Sequence, residues 1–397
     1  MTRRAIVGTG RLLTMAGSQA ADTGLLEGPW VVMLEDGRIS HVRAGRLRPA
    51  ETDDVHDVGS ALCTPGLVDP HTHLIFAGDR ADEAAARSRG ERYDGGGILR
   101  TVAATDAASD DDVVAATRAR LSVAAAAGST TIEVKSGYGL TAAAESRLLR
   151  LIPEASLGLP MRVLRTFLGA HAVPAGSTPV EQTEAVIQML PRVAAQADFV
   201  DVFCEPHLFD LELTRRIAAA AARLGLPLRL HADQLTRSGA ALLGAELGAL
   251  SVDHLEQFDV RDVPALAASG TVATILPGPA LMLRAGTPPV RALLDAGTQV
   301  AIGSDANAGT FGQPSMVLAV GLAVALGFSV EEALRSATAG AAAALGLSGV
   351  VGALAPGASA DLVAWDAEHE GDFALRVGAV RPRWAWFAGE QRSLSHD

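Results

Sequence analysis

From Leu67 to Leu345 the chain alternates short apolar runs with longer Ala/Leu-rich stretches, and it does so eight times. The predicted strands are Leu67–His73, Thr130–Lys135, Arg162–Leu168, Phe199–Cys204, Pro227–Leu230, Leu250–Asp253, Thr271–Leu276 and Gln299–Ile302. The predicted helices include Asp111–Ala127, Ala142–Ile152, Pro179–Ala195, Leu211–Leu224, Ser238–Leu247 and Thr287–Asp295, closed by Met316–Leu326 and Val330–Leu345. Strands linked through helices pair in parallel, and eight such units predict an α/β fold of the (β/α)8 TIM-barrel type. Ser88–Leu99, with Tyr93 and Gly95-Gly96-Gly97, reads as a glycine-rich mobile lid.

Both chain ends read differently. Trp30–Leu34 and Arg38–Val42 flank Glu35-Asp36-Gly37, and Asp-Gly between apolar runs is a strong hairpin signal. Asp361–Trp365 and Trp384–Phe387 are short β-type runs after the breaker Pro356-Gly357. The flanks are therefore expected to be all-β.

Composition narrows the partners. A net charge of −12 argues against a nucleic-acid surface. Two cysteines, Cys63 and Cys204, exclude a disulfide scaffold and a cysteine-built metal site. The most apolar run, Met316–Phe328, is shorter than the roughly 18 residues a membrane span needs. No apolar segment follows the basic start, so a soluble cytoplasmic protein without a membrane partner is expected. Arginine carries nearly all the positive charge, and Lys135 is the single lysine.

Barrel chemistry gathers at the C-terminal ends of the strands. Six of the ten histidines fall there: His71, His73, His171, His207, His231 and His254. His71 and His73 are two apart, the spacing that puts both rings on one face of a strand. Alone, His-x-His is an ordinary strand feature. With His231 ending strand five and Asp305 ending strand eight, it becomes three imidazoles and a carboxylate, a set that suits zinc or iron over magnesium or calcium. An open position on such an ion activates water. His254, ending strand six, is placed to take a proton or polarise a carbonyl. Arg80, shortly after the His-x-His, suits a substrate carboxylate.

These residues together resemble the imidazolonepropionases of the amidohydrolase superfamily. The similarity is carried by Thr64–Gly78, by Glu133–Leu140, by Phe167–Pro174 and by Gly303–Thr310, and runs from about Gly66 to Gly340. The resemblance implies hydrolysis of an anionic imidazolone, 4-imidazolone-5-propanoate, to N-formimidoyl-L-glutamate in histidine degradation. It implies one zinc or iron ion per subunit on His71, His73, His231 and Asp305. Arg80, Tyr138 and His171 would hold the substrate, with Asn307, Gly309 and Thr310 around substrate or product. His254 and Asp305 would be the catalytic pair. Gln234 stands where some relatives carry Glu, cannot act as a base, and is given a substrate hydrogen bond. The resemblance further implies a homodimer and a β-sandwich made by both ends, giving a composite unit 1–62 with 352–397 and a catalytic barrel 63–351.

Competing readings leave distinct traces. A guanine- or cytosine-type aminohydrolase would want Glu at Gln234. A two-metal enzyme would need Lys135 carboxylated as a bridge, although strand four, with Glu205 at its end, is the expected place for one. A dehydrogenase would use Gly137-Tyr-Gly139-Leu-Thr-Ala142, which formally fits G-x-G-x-x-A, to seat a pyrophosphate. A metal-free binding scaffold would have lost ligands, and this chain keeps all four.

Overall fold

The structure is a computed structural model and describes residues 3–17, 19–48, 51–52, 54–90 and 97–392. Its centre is an eight-stranded sheet: Leu67–Asp69, Ser129–Lys135, Arg162–Ala170, Phe199–Cys204, Leu228–Ala232, Ser251–His254, Val272–Ile275 and Val300–Ile302, neighbours in chain order. All seven ladders are parallel. Strands one and eight do not share a ladder. They meet beyond their ends, where the His73 amide donates to the Ala306 carbonyl at 2.9 Å and the Asp305 amide to the His71 carbonyl at 3.0 Å.

Several boundaries move by a residue or two. One shift matters for function. Strand one ends at Asp69, not His73, because Pro70 has no amide hydrogen for the ladder. The alternation of His71 and His73 is kept instead by the single bridge from Thr72 to Ala306. Helix starts follow capping chemistry: the side chains of Ser109, Thr141, Thr178, Asp210, Ser315 and Ser329 each accept from the amide three residues on. The helix read as continuous from Val330 to Leu345 contains a π turn at Ser336–Gly340, which hydrophobic period does not reveal.

The terminal segments form two further sheets. One is four-stranded (Arg3–Gly8, Trp30–Glu35, Arg38–Ala44, Val55–Asp57). The other is six-stranded, joining Arg11–Leu13, Leu25–Glu27 and Cys63–Pro65 to Leu362–Trp365, Pro382–Phe387 and Glu390–Arg392. Ile6, Trp30, Val32 and Ile39 from the first pack against Leu12, Cys63, Leu362 and Trp386 from the second in one buried cluster. The hairpin turn has Asp36 and Gly37 both at positive φ, as Asp-Gly predicted. Of the expected lid, Ser88 ends the helix Ala81–Ser88 and Ile98 and Leu99 open the helix Ile98–Ala107; Tyr93, Gly95 and Gly96 lie outside the described residues. Among the described residues no helix is long and apolar enough to cross a membrane.

Candidate active site

The strand ends bring the nominated ligands together. The Nε2 atoms of His71 and His73 are 3.2 Å apart, and those of His73 and His231 are 3.3 Å apart. Asp305 Oδ1 lies 3.4 Å from His73 Nε2 and 3.7 Å from His71 Nε2. Nitrogens bound tetrahedrally to one ion at 2.0–2.1 Å lie about 3.3 Å apart. All four side chains are buried.

The other ring nitrogens show how this cluster could hold a cation. His71 Nδ1 is 2.6 Å from Asp253 Oδ2 and His231 Nδ1 is 3.1 Å from Asp201. A carboxylate only accepts, so each Nδ1 carries the proton and each Nε2 presents a lone pair. Burial, reinforced by neighbouring positive groups, holds His71 and His73 well below the usual histidine range. Burial also lowers His231, against the pull of Asp201. Neutral imidazoles are the form that ligates metal. His73 Nδ1 has no partner among the described residues. Ring nitrogens and a carboxylate oxygen gathered at these distances could hold a metal ion. Asp305, lifted to about 7 by burial, would ionise readily beside such a charge.

Above this cluster is a cavity lined by Arg80, Tyr138, His171, Gln234, His254, Asn307 and Thr310, together with His73, His231 and Asp305. Ile98 and Phe203 supply apolar walls that the sequence reading missed. His171 Nδ1 donates to the Gly137 carbonyl at 2.9 Å, leaving Nε2 as an acceptor, and burial takes its pKa down to about 3. Its ring stacks on His73 with centroids 5.0 Å apart. At His254 burial works against charge, but Glu256, 3.4 Å from Nδ1, and the carboxylates of Asp305 and Asp253 outweigh it and raise the pKa. A ring nitrogen of His254 lies within 4.8 Å of nitrogens of His71 and His231. His254, Asp233 and Asp305 all have positive φ, strain of the kind that collects at working sites.

Arg80 is already engaged. Its Nε and one terminal nitrogen donate to Glu83 Oε2 at 2.9 and 2.8 Å. Its guanidinium lies against Gly309, where a Cβ would overlap it. Gly309 therefore acts through close approach and does not line the cavity. Asn307 shapes its own loop: its Oδ1 accepts from the amides of Gly309 and Thr310, and its Nδ2 donates to Thr310 Oγ1 and the Asp305 carbonyl.

Two competing readings fail on geometry. The loop that fits G-x-G-x-x-A is filled from within, because the buried Glu145 carboxylate accepts from the amides of Gly137, Gly139 and Leu140 at 2.9, 2.8 and 2.7 Å. No pyrophosphate can share that nest. Lys135 is not a bridge, since its Nζ pairs with Glu133 at 2.8 Å and Asp201 at 2.9 Å. Those carboxylates outweigh burial and raise its pKa, so it is an ammonium. Glu205 is spent on the backbone and hydroxyl of Thr236 and the amide of Leu235.

A family model described as the amidohydrolase family matches residues 62–389. The chain is 43% identical to the imidazolonepropionase of Sphingopyxis alaskensis, over 93% of each chain. It is 44% identical to that of Ralstonia nicotianae, over 87% of this chain and 88% of the relative. Among solved structures, atrazine chlorohydrolase from Arthrobacter aurescens TC1 complexed with zinc has the same fold, with TM-score 0.72 and 20% identity over 98% of this chain and 94% of that one. With lone pairs gathered at the mouth of a parallel barrel and near-full-length identity above two fifths, the chain belongs to the imidazolonepropionase family of the amidohydrolases.

Proposed function

We propose that the chain hydrolyses the ring C–N bond of 4-imidazolone-5-propanoate to give N-formimidoyl-L-glutamate. The observation that carries this is the convergence of three Nε2 lone pairs and the Asp305 carboxylate beneath a cavity edged by Arg80. His71, His73, His231 and Asp305 would hold one zinc or iron ion per subunit. When bound, such an ion supplies Lewis acidity, lowering the pKa of water and polarising a carbonyl.

The remaining steps belong to the chain. Arg80 meets the propionate, and the substrate carboxylate competes with Glu83 for the guanidinium. His171, held neutral with Nε2 accepting, takes a hydrogen bond from a ring N–H. Tyr138 and Gln234 border the ring, and the Asn307–Thr310 loop closes the far wall. As water adds to the ring carbonyl carbon it loses a proton to Asp305; His254, with its proton favoured by Glu256, donates a hydrogen bond toward the carbonyl oxygen as negative charge develops and gives its proton to the nitrogen as the ring C–N bond breaks. Asp305 is the alternative donor to that nitrogen. Burial of these groups keeps bulk water from competing for the protons they move. Gln234 has no proton to shuttle, which disfavours aminohydrolase chemistry.

The same reading includes a cytoplasmic homodimer, with residues 1–62 and 352–397 as a composite β unit beside a catalytic barrel of residues 63–351. The test is incubation of metal-replete protein with freshly prepared substrate, following loss of the ring's ultraviolet absorbance against a protein-free blank and identifying the product. Loss with wild type and not with His254→Ala is expected. A rate equal to the blank would refute the assignment.

A further inference from the structure

The barrel interior below the site holds Glu133, Lys135, Asp201, Arg229 and Asp253, all fully buried. Lys135 is the node of this group. One of its carboxylate partners, Asp201, accepts from both the ring Nδ1 and the backbone amide of His231, at 3.1 and 3.2 Å. Its other partner, Glu133, accepts at 3.1 Å from the amide of Thr72, the residue between His71 and His73. The Thr72 hydroxyl donates to the Glu133 carbonyl at 2.6 Å, and the Lys135 amide donates to the Thr72 carbonyl at 2.9 Å. Lys135 thus joins the ring of one proposed ligand to the backbone between two others.

The choice of residue supports a positional role. Arginine carries every other non-histidine positive charge in the chain, yet this position holds the one lysine. A compact ammonium with three donors can serve two carboxylates at 2.8 and 2.9 Å in a space closed to solvent, where a planar guanidinium needs more room. Arg229 takes the matching place for Asp253 and His71.

We propose that Lys135 is a positioning residue that fixes the His231 ring and the path of the His71–His73 segment, and thereby sets the affinity of the site for a zinc-type ion. The inference rests on the ligand set proposed above. Partners that orient metal-bound histidines are typically worth about 10–100-fold in affinity.

The test is the zinc Kd of the full-length protein, measured by competition with a chromogenic chelator after metal removal, for wild type, Lys135→Met and His231→Ala. Lys135→Met is expected to bind about 10–100-fold more weakly. Wild-type binding by His231→Ala would overturn the ligand set itself. A weakened His231→Ala beside a wild-type-like Lys135→Met would overturn only the positioning role. Because the chain has one lysine, [15N]lysine labelling gives a single Nζ resonance, which decides the matter even if Lys135→Met fails to fold. That signal should move during zinc titration and stop moving at the same equivalence point as the histidine ring signals. A stationary Nζ signal would overturn the proposal.

Discussion

Glu145→Gln is nearly isosteric and isolates what the internal anion does for the substrate loop. In the native nest Oε1 accepts from Gly139 and Leu140 and Oε2 from Gly137. Glutamine can keep two of these bonds, as neutral bonds worth about 1 kcal/mol less each than charge-assisted ones. The third position becomes an NH2 facing the Gly137 N–H, two buried donors without an acceptor, at about 1–3 kcal/mol. The total is about 3–5 kcal/mol. An unfolding entropy of about 2.1 cal/mol/K per residue over 397 residues makes this a fall in Tm of about 4–6 °C. The loop also carries Tyr138, and the Gly137 carbonyl sets the tautomer of His171. KM should therefore rise along with the loss of stability. Calorimetry under reversible conditions and steady-state kinetics on the same preparation measure both. A Tm within 1 °C of wild type, with unchanged KM, would refute the claim that the carboxylate holds the loop.

Three further outcomes are expected. Arg80→Met should raise KM for the propionate-bearing substrate about 10–100-fold with a smaller effect on kcat, as initial-rate kinetics would show, because it removes a charge-assisted contact. Glu256→Gln removes the neighbouring carboxylate that raises His254, so the His254 pKa should fall; with protonated His254 as the acid, the alkaline limb of the kcat–pH profile should move to lower pH, and an unmoved limb would exclude His254 as the acid. Chelation followed by dialysis should abolish turnover, and readdition of zinc or ferrous iron should restore it, with metal content measured alongside.

Much of this architecture was legible in the sequence because periodicity and strand-end chemistry are local signals. The eight alternations placed His71, His73, His231, His254 and Asp305 at one rim without reference to coordinates. What escaped was the supporting layer. Asp201 sits inside Phe199–Cys204 and Arg229 inside Leu228–Ala232, where apolar neighbours made each run read as plain buried strand. A usable signal was present: Glu133 lies two residues before Lys135, and Arg229 two before His231, so each faces the same interior one layer down. The Arg80–Glu83 pair escaped because Glu83 lies three residues on, in the helix Ala81–Ser88, which the sequence reading did not include. Asp69 escaped for another reason. It ties strand one to strand eight through the Ser304 amide and hydroxyl at 3.0 and 2.6 Å, a contact 235 residues apart in sequence.

The join between strands one and eight has a consequence for how sequences of this kind can drift. Elsewhere around the barrel, ladders of three to five residue pairs hold neighbouring strands together, most of them through residues that take no part in the chemistry. At the join, the backbone groups of His71, His73, Asp305 and Ala306 do that work, with Asp69 and Ser304 beneath them. A lineage can therefore compensate for a weakened helix or a lost methyl in the outer layer without touching chemistry. It has no such freedom here, because the hydrogen bonds that complete the circle are made by the residues that do the chemistry. Selection for stability and selection for turnover fall on the same few peptide units, which should leave this short arc nearly invariant while the outer ring changes around it.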